Sequence, residues 1–147
     1  MTNPIEILLI EDSPSDVRLT QEAFQTARIY NTIHVVQDGM SAINFLQQNA
    51  PYEKVPRPDL ILLDLNLPKK DGREVLKDIK SDSSLRQIPL VILTTSSDEE
   101  DVMKSYDLHA NAYLVKPIDV QSFIKMVQSL EQFWLSFVKL PPKKFSC

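Results

Sequence analysis

The sequence predicts an α/β protein made of five consecutive βα units around a doubly wound parallel sheet. Five short apolar runs rich in Ile, Leu and Val occupy residues 5–10, 33–36, 60–63, 90–93 and 113–115. They do not alternate with polar residues, as expected of strands buried on both faces. The runs start about 23 to 30 residues apart, and each interval holds a segment of helical periodicity, the spacing of strands that return parallel through a helix. Architecture repeats here, whereas sequence does not. A chain of 147 residues with 43% apolar and 24% charged residues has the size and composition of one globular domain.

Each helix carries its own signals. Ser13 followed by Pro14, with Asp16 three residues after the serine, predicts an N-cap, a first-turn proline and a capping box, so the first helix starts near residue 14. Val17, Phe24 and Ala27, with Thr20 between them, keep one of its faces inward. The second helix spans about residues 40–48 and is followed by a loop holding Pro51, Pro56 and Pro58. A third covers about residues 73–80. The acidic run 98–101 favours the start of a fourth through the helix dipole, and that helix closes near residue 108. Asp119 caps a fifth, which extends to about Leu140 before Pro141 and Pro142 stop it. The expected organisation is one domain over residues 1–140 with a long last helix, and a tail at 141–147.

Composition excludes several functions. Gly39 and Gly72 are the only glycines, too few for a dinucleotide-binding fingerprint and too far apart for a Walker phosphate loop. Cys147 is the sole cysteine, so neither an internal disulfide nor a zinc–thiolate site is available. A net charge of -4 has the wrong sign for a chain that grips phosphate backbones, and no direct nucleic-acid partner is expected. No apolar stretch approaches a membrane span and no signal peptide precedes the first strand, so a cytoplasmic location is expected.

The polar residues fall where ligands bind. The first strand ends in Glu11 and Asp12, the third in Asp64, the fourth in Thr94 and the fifth in Lys116, followed by Pro117. In a parallel sheet these positions share the carboxyl edge, where open α/β sheets bind ligands. Three carboxylates brought together shift their protonation or share a cation, and an incomplete all-oxygen site suits Mg²⁺. A lysine and a hydroxyl complete a pocket for an anion. Each piece has an ordinary structural reading: a solvated helix start at Glu11 and Asp12, a polar turn over residues 64–72, and a solvated lysine at 116. Their joint placement at successive strand ends outweighs these.

These motifs identify a resemblance to the receiver domain of two-component response regulators, over about residues 5–130. It is carried by Ile7-Leu8-Leu9-Ile10-Glu11-Asp12, by Leu63-Asp64-Leu65-Asn66-Leu67-Pro68 leading to Asp71-Gly72, by Thr94-Thr95, and by Tyr113-Leu114-Val115-Lys116-Pro117. The resemblance implies a flavodoxin-like fold. It also implies that Asp64 accepts a phosphoryl group from a histidine kinase, and that Glu11, Asp12, Asp64 and the carbonyl of Asn66 hold Mg²⁺. Thr94 and Lys116 would contact the phosphoryl group, with Thr94 and the aromatic Tyr113 forming the switch. A narrower similarity is to the stand-alone regulators paired with phytochromes, the red-light-sensing histidine kinases. It rests on the stretch over residues 60–76, on Ser105-Tyr106-Asp107-Leu108-His109 and on Phe133-Trp134-Leu135. Some members of that group lack proline after the lysine, and Pro117 follows the general receiver pattern.

The phosphohistidine imidazole is a good leaving group, so such a regulator supplies a nucleophile, in-line geometry and charge neutralisation. Two other classes share parts of the pattern. A haloacid-dehalogenase-type phosphatase resembles Asp-x-Asp, and here the second position is Asn66, which leaves no proton donor. A receiver-like module that binds partners without phosphorylation would not need every acceptor residue. His34 and His109 read as a packed and a solvated histidine, not as metal ligands. Output is expected through protein contacts, with a further phosphotransfer protein possible downstream. The last helix carries apolar groups on more than one face beyond residue 130, so Phe133, Trp134 and Phe137 are expected at a homodimer interface. The alternative is that this end folds back over its own sheet.

Overall fold

The computed structural model describes residues 4–95, 110, 112–116 and 119–129. Its elements are β1 (Ile5–Ile10), α1 (Pro14–Thr26), β2 (Asn31–Val36), α2 (Gly39–Leu46), β3 (Leu60–Leu63), α3 (Gly72–Ser81), a 3-10 turn (Leu85–Gln87), β4 (Leu90–Thr94), β5 (Ala112–Val115) and α4 (Val120–Ser129). Here α4 is the helix that the sequence places fifth. The helix expected at 98–108, the continuation of the last helix beyond Ser129, and the tail lie outside the described residues. No helix among the described residues is long and apolar enough to cross a membrane.

All five strands are parallel, in the order β2-β1-β3-β4-β5. The chain steps outward from β1 to β2 and then returns past β1 to β3. The reversal opens a crevice at the carboxyl ends of β1 and β3. Successive residues of each strand point to opposite faces, which divides the core in two. Ile7, Leu9, Leu60, Leu62, Val91 and Leu93 pack beneath α1 and α4 with Phe24 and Phe123. Leu8, Ile10, Ile61, Leu63, Leu90 and Ile92 pack beneath α2 and α3 with Phe45, Val75, Leu76 and Ile79.

Burial on both faces, expected of every strand, holds for β1, for β3 and for residues 90–93 of β4, whereas β2 and β5 depart from it. They stand at the two ends of the sheet, and Val35 and Val115 are 37% and 44% exposed. An outer strand lacks a neighbour on one side, so polar residues can join it, and β2 starts at Asn31, ahead of the apolar run at 33. The second helix is also shorter than expected and shifted. Asp38 caps it, accepting the Ser41 N–H on Oδ1 at 2.8 Å and the Ser41 hydroxyl on Oδ2 at 3.0 Å, so α2 begins at Gly39 and closes at Leu46. His34 is a packed histidine, as expected: its ring tilts against Phe45 and its Nε2 lies 2.7 Å from Glu6 Oε1. His109 lies outside the described residues.

Candidate functional site

The backbone brings the acidic residues level with one another. Ile10 registers with Leu63 across β1 and β3, and the ladder runs one residue further, with Asp64 N–H donating to the Ile10 carbonyl at 3.0 Å. On the other side Glu11 N–H donates to the Val36 carbonyl at 2.9 Å. Oxygens of Glu11, Asp12 and Asp64 all lie within 4.8 Å of one another. Glu11 is 1% exposed and Asp64 6%, whereas Asp12 faces solvent.

Lys116, directly after β5, completes the cluster. Its ammonium donates to Glu11 Oε1, to Asp16 Oδ2 at 2.9 Å and to Asp64 Oδ2 at 3.1 Å, which occupies all three of its hydrogens. The other Asp64 oxygen, Oδ1, accepts the Asn66 N–H at 3.0 Å. Burial alone would favour neutral Lys116, but hydrogen bonds to Glu11, Asp16 and Asp64 outweigh it and hold the ammonium well above the usual lysine range. Burial pushes Glu11 up to about 7, with Asp64 acting in the same direction and Lys116 opposing both. The cleft thus concentrates more negative charge than one lysine balances.

Asp16 is the residue that sequence reasoning missed. Its spacing from Ser13 predicts a capping box, and half of that box forms: Ser13 Oγ accepts the Asp16 N–H at 3.4 Å. The reciprocal half does not, because the Ser13 N–H donates instead to Glu11 Oε2 at 3.2 Å. The Asp16 carboxylate reaches Lys116. A first-turn acid on the helix leaving Glu11 and Asp12 was the available signal, since that turn also borders the carboxyl edge of the sheet.

Both glycines fix the loop between β3 and α3. A Cβ on Gly72 would stand 2.3 Å from the Asp64 carbonyl oxygen and 2.5 Å from Leu65 Cα, and one on Gly39 would stand 2.1 Å from the Lys70 carbonyl oxygen. Gly72 N–H also donates to the Leu65 carbonyl at 3.0 Å. Close backbone approach at each end therefore requires glycine. Asp71 caps α3 through the Arg73 N–H at 3.0 Å.

Of the other expected site residues, Asn66 is exposed in this loop. Thr94 ends β4 in register with Val115. Tyr113 is half-buried in β5, against the core beneath α2 and α3. Phe133, Trp134 and Phe137 lie outside the described residues. The donor set fits a hard divalent cation: three carboxylates offer only oxygen, lie close enough to share one ion, and include a buried acid whose ionisation such an ion would favour.

A 2-1-3-4-5 parallel sheet bearing an aspartate, an acidic pair and a lysine at its carboxyl edge is the architecture of a phosphoacceptor signalling module. The response regulator receiver domain model matches residues 7–128, and the chain belongs to that family. It is 54% identical over 138 residues to the response regulator Rcp1 of Synechocystis sp., covering 94% of each chain. The crystal structure of the Mn²⁺-bound form of Rcp1 matches with a TM-score of 0.78, over 94% of this chain and 99% of that one. The phosphorylated cyanobacterial phytochrome response regulator RcpA is 48% identical, with a TM-score of 0.78 over 95% of this chain and 99% of that chain. The bacteriophytochrome response regulator RtBRR is 39% identical, with a TM-score of 0.82 over 98% of this chain and 88% of that chain. Both resemblances read from the motifs, to receivers in general and to phytochrome-associated regulators, are borne out.

Proposed function

We propose that Asp64 accepts a phosphoryl group from the phosphohistidine of a phytochrome-type histidine kinase, with Mg²⁺ as the supporting ion, and that the phosphorylated chain signals through protein contacts. The convergence of Glu11, Asp12 and Lys116 on the buried Asp64 carries this reading. One Asp64 oxygen forms the bond to phosphorus while the bond from phosphorus to the imidazole nitrogen breaks, and the imidazole leaves with that electron pair. The Asn66 N–H orients the carboxylate, and Lys116 stands beside the acceptor oxygen, ready to meet charge on the transferring group. Glu11, Asp12, Asp64 and the Asn66 carbonyl are the groups that would hold Mg²⁺; when bound, it supplies positive charge to the phosphoryl oxygens. Attack of water on phosphorus returns the Asp64 carboxylate and inorganic phosphate, which makes the signal transient.

Thr94 and Tyr113 are the proposed switch. Their strands neighbour each other, with Tyr113 in register with Ile92, so a shift at the end of β4 can be felt in β5. The names of RcpA and RtBRR, a phytochrome and a bacteriophytochrome response regulator, support the choice of kinase class. We further propose that residues 1–140 form one receiver domain and that the chain forms a homodimer through Phe133, Trp134 and Phe137. Incubation with an autophosphorylated phytochrome-type histidine kinase and Mg²⁺ tests the pairing. Transfer of label from the kinase to the chain is expected. Label retained by every phytochrome-type kinase, in a chain that acetyl phosphate does phosphorylate, would contradict the pairing alone.

A further inference from the structure

Lys116 is held by an acid that the phosphoryl-transfer chemistry does not use. Asp16 sits in the first turn of α1, its N–H donated to Ser13 Oγ at 3.4 Å and its carbonyl accepting the Thr20 hydroxyl at 2.9 Å. Its carboxylate is therefore presented from a fixed turn, and it reaches Lys116 Nζ at 2.9 Å. It is not one of the three carboxylates, Glu11, Asp12 and Asp64, whose oxygens lie within 4.8 Å of one another. We propose that Asp16 is a positioning residue that retains the Lys116 ammonium on the α1 side of the cleft and so opposes the phosphorylated state. The inference rests on the reading of Asp64 as the phosphoryl acceptor.

Two of the three Lys116 hydrogens are on Glu11 and Asp16, so a phosphoryl group on Asp64 can take more than the one hydrogen already on the Asp64 carboxylate only if one of those two bonds is given up. Side-chain exposure selects which one. Glu11 is 1% exposed and Asp16 27%. An acid released from a hydrogen bond costs least where water can replace the donor, so the Asp16 bond is the one exchanged. Charge acts in the same direction. The Asp16 carboxylate repels an arriving phosphoryl group, while it attracts a divalent cation. Removing its charge therefore favours the anion and disfavours the cation, whereas mere loosening of α1 would weaken both.

Calorimetric titration of the wild-type chain, Asp16→Asn, Asp16→Ala and Asp16→Glu with Mn²⁺ alone, and then with beryllofluoride at saturating Mg²⁺, separates these cases. The expected result is beryllofluoride binding tightened about five-fold in Asp16→Asn and Asp16→Ala, the scale of a partly exposed ion pair, with Mn²⁺ binding equal to or weaker than wild type. Asp16→Glu should return both affinities toward wild type. Unchanged or weakened beryllofluoride binding in both neutral variants, with the wild type binding normally, would overturn the role of Asp16 and leave the acceptor reading intact. A wild-type chain that binds no beryllofluoride would overturn both.

Discussion

Lys116 is 5% exposed and joins three acids, so its removal leaves buried negative charge without a partner. Lys116→Ala should lower metal-free stability by about 3–5 kcal/mol, the usual cost of breaking a buried ion pair. A divalent cation can replace part of the lost charge. Thermal unfolding with and without Mg²⁺ should therefore show a larger cation-dependent gain in the variant than in the wild type; an equal or smaller gain would separate Lys116 from the cation site. Asp38 offers a pH-dependent case outside the acidic cluster. Burial would raise its pKa, but the N–H and hydroxyl of Ser41 win and hold the acid below its ordinary 3.8. A depressed carboxyl contributes stability above the unfolded pKa and loses it as pH falls through the folded one. Asp38→Ala should thus cost about 1 kcal/mol near neutrality, with the difference from wild type shrinking below about pH 4, as read by urea unfolding.

Individual elements show what the sequence made legible. Pro14 and Ser13 marked the start of α1 correctly because capping is decided within four residues. The start of α2 fell within one residue of its expected place, and its end came two residues early, at Leu46. The Asp16 contact was invisible because it joins residues 100 positions apart, and local spacing also supported a cap. The two glycines were legible as exclusions, but their clamp on the loop over residues 64–72 depends on a backbone approach that no local pattern encodes. Gly72→Ala should move Asp64 and Leu65, cost about 1–3 kcal/mol as overpacking does, and slow phosphorylation by acetyl phosphate. Wild-type stability and labelling rate in that variant would show that the loop tolerates the methyl group. Between α1 and α4, the rings of Phe24 and Phe123 meet edge to face at 4.4 Å, both fully buried. Phe24→Ala should cost about 3–5 kcal/mol in chemical denaturation.

Across the whole molecule, the parallel sheet and the position of the cleft at its carboxyl edge were readable from the periodicity of the chain, whereas the flavodoxin-like strand order was implied only by the resemblance to receivers. Five apolar runs with intervening helices leave a doubly wound sheet as the simplest packing, and the reversal between β1 and β3 places Glu11, Asp12 and Asp64 together. The outer strands were less readable, since their exposure depends on where they stand in the sheet. Homodimerisation, proposed from the apolar residues beyond 130, is checked by light scattering. Twice the monomer mass is expected, shifting toward monomer in the double variant Phe133→Lys, Trp134→Lys; a wild-type monomer with or without phosphorylation would refute it. The central claim, that Asp64 is the phosphoryl acceptor, is tested most directly by mass spectrometry after treatment with acetyl phosphate and Mg²⁺. The wild-type chain should gain one phosphoryl group, mapped to Asp64 and absent from Asp64→Asn, whereas equal labelling of that variant would contradict the account.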